Sequence, residues 1–219
     1  MQKQLSEFIG TATLALVVVG SGAMAENLSS DVGLQLLINA AATGTALWLL
    51  ITLFAPISGA HFNPVVTGIA LYRKELSPIV AAAFVALQTL GAITGTILAN
   101  ILFQRSAIDI SSKSRDGGHL LLSEVVATAG LIFVIFQLSK IRKGRYVAAG
   151  VAGWIFAAYF FTSSTSFANP AIAIGRTFTD SFAGIAPHSA ATFIPFQIIG
   201  GAIGYLLFRY LSTDSSTRK

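Results

Sequence analysis

Long apolar stretches separated by short polar ones dominate the chain. Six can be drawn, at 5–25, 33–55, 79–103, 119–139, 146–163 and 189–211. Each approaches the roughly 20 residues a helix needs to cross a bilayer. Two further apolar runs are far too short for that. They begin within Ser58-Gly59-Ala60-His61-Phe62-Asn63-Pro64-Val65 and Thr165-Ser166-Phe167-Ala168-Asn169-Pro170-Ala171. Asn is a preferred N-cap and Pro a preferred first helical residue, since the N–H that Pro lacks is unpaired in a first turn anyway. The pattern therefore predicts a short helix starting at each Asn-Pro. A pair of short, interrupted apolar segments in matching positions of two halves points to a solute site inside a membrane.

Composition narrows the class. Of 219 residues, 54% are hydrophobic and only 11% charged, against about 25% charged in soluble domains, and the mean hydropathy is +0.73. A soluble core this apolar would lack polar surface to cover it, so the chain reads as one integral membrane domain over 1–219. Cysteine is absent, which excludes disulfides. The net charge of +5 sits in short loops between apolar segments, which fits membrane topology and not a nucleic-acid face. Met1 to Ala25 also has the layout of a secretory signal, with Lys3, an apolar core from Leu14 to Val19, and Ala23-Met24-Ala25.

An internal repeat weighs against that second reading. Leu5-Ser6-Glu7 with Thr11, Ala12 and Leu14 recurs as Leu122-Ser123-Glu124 with Thr128, Ala129 and Leu131; Gln88, Gly91 and Gly95 recur as Gln197, Gly200 and Gly204. Asn63-Pro64 recurs as Asn169-Pro170, so three markers keep one order. The halves run approximately 1–105 and 117–213. Each holds three crossings, an odd number, so the second half enters from the opposite side and the repeat is inverted. The spacing Gly91-x-x-x-Gly95 and Gly200-x-x-x-Gly204 predicts close helix crossings. Lys3, Arg73, Lys74, Lys140, Arg142, Lys143, Arg145, Arg209, Arg218 and Lys219 fall on one side; Arg105, Lys113, Arg115 and Arg176 fall on the other. The positive-inside rule then puts both termini in the cytoplasm, in the inner membrane of a cell.

These marks resemble the aquaporin (major intrinsic protein) family over essentially the full length: Glu7 and Glu124, Ser58-Gly-Ala-His-Phe-Asn-Pro, Gln88 and Gln197, and the second Asn-Pro-Ala. The resemblance implies an all-α fold of six transmembrane helices with two re-entrant half-helices. It also implies an hourglass pore in each protomer, a homotetramer in the lipid bilayer, and passive conduction of water or small uncharged solutes. No cofactor, metal or nucleic acid is expected, and no enzymatic activity, since no nucleophile–base pair or metal-ligand cluster stands out.

The chemistry of such a pore can be assigned residue by residue. Irregular backbone at membrane depth is tolerated where it lines a water-filled cavity. Carbonyls of Gly59, Ala60, His61 and Phe62, and of Thr165, Ser166, Phe167 and Ala168, are expected to form two acceptor ladders. Asn63, Pro64 and Val65 with Asn169, Pro170 and Ala171 are expected at the pore centre, where two helix N-termini repel cations. Glu7 and Glu124, intramembrane carboxylates, are expected from the resemblance to hold the two loops. His61 is expected to orient its loop, and His119 and His188 to lie at the interface.

In water-selective relatives a constriction combines an Arg three residues after the second Asn with an aromatic twenty before the first. Those positions here are Ile172 and Thr43, and the remaining two count to Ser166 and Ala157. The ring is expected to contain no aromatic, His or Arg, and so to be wider and less polar. Val65 replaces the usual Ala, which puts the tight packing of the two half-helices in question. Arg176 lies one turn beyond Ile172, about 6 Å along the axis; it either guards the outer mouth or snorkels to the interface. The reading that follows is a channel for small neutral polyhydroxylated solutes. Asn169-Pro-Ala-Ile-Ala-Ile-Gly-Arg with Phe182-Ala-Gly-Ile-Ala-Pro resembles a bacterial branch associated with uncharged arsenite, As(OH)3. The alternatives are a water-selective pore and, from another class, an ion-coupled secondary transporter.

Overall fold

Each apolar stretch becomes a helix because only a helix satisfies its own backbone in lipid. The computed structural model describes residues 1–140 and 144–213. Among them are α1 (Gln2–Leu28), α2 (Val32–Ser58), α3 (Pro64–Tyr72), α4 (Pro78–Leu102), α5 (Gly118–Lys140), α6 (Val147–Phe161), α7 (Pro170–Gly175) and α8 (Pro187–Thr213). Short 3₁₀ turns at Gly144–Tyr146 and Arg176–Phe178 precede α6 and extend α7. The architecture is all-helical and aquaporin-like. Arg142, Lys143, Arg218 and Lys219, used above for orientation, lie outside the described residues.

Local signals set the helix ends. Asp31 caps α2 by accepting from Leu34 N at 2.8 Å, and Gly59 ends it in the left-handed conformation, φ 94°, which costs glycine little. Ser77 caps α4, with Pro78 in its first turn. Five helices, α1, α2, α4, α5 and α8, are long and apolar enough to cross a membrane. The sixth predicted crossing, 146–163, is shorter as a helix. α6 has 15 residues, about 22 Å at 1.5 Å per residue. The chain then leaves helical geometry at Thr162, and residues 162–168 run on irregularly into the second Asn-Pro.

α1 packs along α4 and α5 along α8. A Cβ on Gly91 or Gly95 would fall 2.5 Å from the Phe8 carbonyl or 2.0 Å from that of Ala12; on Gly200 or Gly204 it would fall 2.5 Å from Val125 O or 2.1 Å from Ala129 O. The predicted small-residue crossings are thus backbone-on-backbone contacts. They also make α1 a packed member of the bundle. The molecule is inverted relative to a soluble protein. Trp48, Leu49, Leu53, Ile79 and Leu206 are exposed on its outside, whereas Glu7, Gln88, Glu124 and Gln197 are fully buried within.

At one end, the 103–117 loop lies against 177–186. Ser111 N donates to Thr177 O at 2.9 Å and Ala186 N to Lys113 O at 2.8 Å. Arg105 pairs with Glu26 at 2.7 Å, which ties this loop to the end of α1.

Candidate functional site

Two half-helices meet nose to nose at the centre. Asn63 caps α3 through its Oδ1, which accepts from Val65 N at 2.9 Å; Asn169 caps α7 by accepting from Ala171 N at 3.0 Å. Each amide nitrogen reaches across to the other loop: Asn63 Nδ2 donates to Ala168 O at 2.8 Å, and Asn169 Nδ2 to Phe62 O at 2.7 Å. An NH2 carries two hydrogens. One of them braces the opposite loop.

The loops before these caps share an unusual backbone. Gly59, Ala60 and Phe62 have φ of 94°, 51° and 49°; Thr165, Ser166 and Ala168, in the same register, have 62°, 54° and 48°. Left-handed geometry costs a non-glycine residue roughly 1–2 kcal/mol, so something must hold these segments. The two glutamates do. Glu7 accepts from Ser58 Oγ at 2.6 Å, His61 N at 3.0 Å, Phe62 N at 2.7 Å and Gln88 Nε2 at 2.7 Å. Glu124 accepts from Phe167 N at 3.0 Å, Ala168 N at 2.8 Å and Gln197 Nε2 at 2.7 Å. Hydrogen bonds to a charged acceptor contribute about 1.5–3 kcal/mol each, enough to offset the strain. The N–H groups of both loops are thus drawn to the carboxylates.

That cavity is lined by Gly59, Ala60, His61, Phe62 and Asn63 on one side of the centre and by Ser166, Phe167, Ala168 and Asn169 on the other. Thr165 is not on its wall. Pro64, Val65, Pro170 and Ala171 buttress the centre without lining it; Val65 packs with Val66, Ile69, Ile132, Phe136 and Phe208. The extra methyls of Val65 are housed by Gly201, where a Cβ would stand 2.2 Å from Val65 Cγ1. The packing put in question by this residue is therefore met by a glycine on α8.

Aliphatic side chains from α1, α2, α5 and α6, among them Leu14, Leu47, Leu131 and Ile155, complete the lining. The lining of the passage is therefore amphipathic, combining hydrocarbon with hydrogen-bonding groups.

Of the four residues expected at a constriction, the structure brings Thr43, Ser166 and Ile172 onto the cavity wall but not Ala157. Ala157 is exposed on the outer face of α6, beside Phe133, Gly153 and Trp154. Tyr159, and not Ala157, lines the cavity and shares a 3.1 Å hydrogen bond with Thr43 Oγ1 through its hydroxyl. Val151, Ile155 and Tyr159 recur every four residues on one helix face, while position 157 lies about 200° around the helix from 155. Counting back from Asn169 misplaced the residue because the irregular 162–168 link is shorter than the count assumed. The expectation of a ring without an aromatic is thus corrected. Ser166 Oγ, buried at this wall, has no hydrogen-bond partner among the described residues.

Arg176 does not snorkel. It is 3% exposed, lines the same cavity, stacks with its guanidinium carbon 3.6 Å from the Phe167 ring centroid, and donates from Nε to Ala183 O. His61 orients its loop with Nδ1 3.1 Å from Thr67 Oγ1 and its ring edge-on to Phe84; Thr67 also accepts from Gln88 at 2.9 Å. Neither Thr67 nor Tyr159 was singled out from sequence. His188 lies at the surface, 3.1 Å from Asp116. Asp116 is held down to about 2 by hydrogen bonds from Ser114, Ser189 and His188. Burial, then the nearby Arg115 and Arg176 charges, pull Lys113 down to about 8. No cluster of three metal-ligating side chains occurs among the described residues.

Comparisons with known proteins agree with this architecture. A family model described as major intrinsic protein matches residues 1–148. The aquaglyceroporin AqpS of Rhizobium meliloti (strain 1021) is 43% identical over 208 residues, covering 94% of this chain and 88% of that protein. Aquaporin-2 of Rattus norvegicus is 29% identical over 231 residues, covering 97% and 79%. Among solved structures, the aquaglyceroporin from Plasmodium falciparum superposes with a TM-score of 0.72 over 96% of each chain at 19% identity, a likeness of fold.

Proposed function

The chain belongs to the major intrinsic protein family, and on that premise we propose that it is a passive membrane channel, not an enzyme, for water and small uncharged glycerol-like solutes. The observation that carries the substrate class is the amphipathic passage. Asn63, Asn169, Ser166 and the Thr43–Tyr159 hydroxyl pair share the cavity lining with aliphatic side chains. A polyol has the same two-sidedness, with hydroxyls on one edge and carbon on the other. It can exchange water for wall hydrogen bonds without leaving a polar group unpaired.

The ion-coupled transporter is disfavoured by the carboxylates. Each is engaged by backbone N–H donors of its own re-entrant loop, which gives it a structural task. We further propose an inverted repeat of halves 1–105 and 117–213, with both termini in the cytoplasm, and four protomers in the inner membrane. Neutral metalloid hydroxides such as As(OH)3 fit the same wall chemistry and form the finer proposal.

The test is permeability of proteoliposomes to water, glycerol and arsenite measured in parallel, for the wild type and for Ile172→Arg with Thr43→Phe. The double change is expected to lower glycerol and arsenite permeability at least about tenfold while reducing water less, because the new side chains narrow the ring. An unchanged solute-to-water ratio would mean that Thr43 and Ile172 do not form the constriction.

A further inference from the structure

The two halves of the repeat differ where each glutamate meets its loop. Glu7 and Gly10 lie one turn apart on α1, and the same spacing on α5 holds Glu124 and Ala127. Each glutamate accepts from the residue before the pore asparagine, Phe62 N at 2.7 Å and Ala168 N at 2.8 Å. The second half therefore combines Ala127 with Ala168, both fully buried. The first combines a glycine with a phenylalanine. A Cβ on Gly10 would stand 2.0 Å from Phe62 Cε1 and 2.4 Å from its Cζ. The ring occupies the space that a side chain at position 10 would fill.

Neither partner has room to retreat. Phe62 is left-handed, φ 49°, with its N–H held by Glu7 and its carbonyl accepting from Asn169 Nδ2 at 2.7 Å. Phe54 packs edge-on against the ring, centroids 6.0 Å apart. On α1, Phe8 and Ala12 lie about 200° around the helix from Gly10, and their carbonyls face Gly91 and Gly95 of α4 in backbone contact. Phe62 also lines the cavity. With the loop backbone, Phe54 and α1 all fixed, the free volume beside the ring is the passage itself.

We propose that Gly10 is a positioning residue that sets the bore of the pore, because the notch it leaves in α1 keeps the Phe62 ring out of the path. This rests on the reading of the cavity as the permeation path. A side chain at position 10 overpacks the notch and turns the ring into the passage, which closes to a polyol before it closes to water. Gly10 acts through Phe62 and touches no permeant.

The experiment measures glycerol and water permeability in the same proteoliposomes of the full chain and reads their ratio. That ratio does not depend on how many channels a vesicle holds, so a loss of assembled protein alone leaves it unchanged. Gly10→Ala should lower the glycerol-to-water ratio about fivefold or more. Adding Phe62→Ala, which copies the pairing of the second half, should return the ratio to the wild-type value or above it. Ala127→Gly, where the loop carries no ring, should keep the ratio within about twofold of the wild type. Should Gly10→Ala not assemble, Phe62→Tyr takes its place; it lengthens the ring at Cζ against the same notch and should lower the ratio likewise. An unchanged ratio in Gly10→Ala, or in Phe62→Tyr where that stands in, overturns the proposal. A lowered ratio that Phe62→Ala does not restore also overturns it, since the ring would then not be the obstacle. Failure of the channel reading looks different: the wild type would swell no faster than empty vesicles.

Discussion

The two loops that enter the membrane have nearly the same backbone and quite different surroundings. Ser58–Asn63 and Ser164–Asn169 share a register of left-handed residues, a glutamate that gathers their N–H groups, and a glutamine behind it. The first loop is then held by a polar wedge in which His61, Thr67 and Gln88 bond in series. The second has Phe167 where the first has His61, and Ala173 where it has Thr67. Phe167 packs edge-on to Phe193 and between two arginines. A strained pore backbone therefore needs its carboxylate anchor, while the rest of its support is interchangeable chemistry.

That difference predicts unequal dependence on the anchors. Glu124→Gln should destabilise the protein by about 3 kcal/mol and Glu7→Gln by about 2, since each leaves a buried N–H facing an amide but only the first loop has a hydrogen-bonded second support. Thermal unfolding in detergent measures both. A larger loss for Glu7→Gln would show that the polar wedge supports nothing.

Packing at the half-helices sharpens the same contrast. Gly201→Ala should cost about 1–3 kcal/mol by overpacking against Val65, and Val65→Ala should recover most of it in the double variant. Gly175→Ala, at the corresponding contact between α7 and α4, meets the Ala92 backbone as well as its Cβ, at 2.8 Å. Ala92→Gly should therefore not rescue it. Equal rescue at both sites would contradict the distinction between side-chain and backbone contact.

Much of this organisation is legible in the chain because duplication writes it twice. Glu7 and Glu124, the two glutamines and the Asn-Pro caps announce themselves by recurring in order, and the glycine spacings mark the crossings that bury them. What escapes is whatever depends on the path of irregular chain. Tyr159 was missed because the length of the 162–168 link cannot be read from a count, although the four-residue recurrence of Val151, Ile155 and Tyr159 carried the signal. Arg115 left no local signal at all; it meets Phe167 and residues 182–184 only once two distant loops pack. Val65 looked like a defect because its compensation, Gly201, lies on another helix.

The smallest effect concerns the outer loops. Lys113 titrates at about 8 in the folded chain, pulled down by burial and by Arg115 and Arg176, against about 10.4 in an unfolded one. Between those values the unfolded state binds more protons, so this group makes stability rise with pH through that window. Lys113→Met should flatten that rise in detergent unfolding measured from pH 7 to 10.5. An unaltered slope would assign it to another group.

The most direct test of the channel itself is glycerol flux against glycerol concentration in proteoliposomes, for the wild type and for Asn169→Leu. The wild type should give flux nearly linear in concentration and indifferent to an imposed proton gradient. Asn169→Leu, which loses a cap, a brace to Phe62 and a pore donor together, should fall at least about tenfold. Saturating flux that follows the proton gradient, or a correctly assembled Asn169→Leu protein that conducts like the wild type, would contradict a passive pore between the two half-helices.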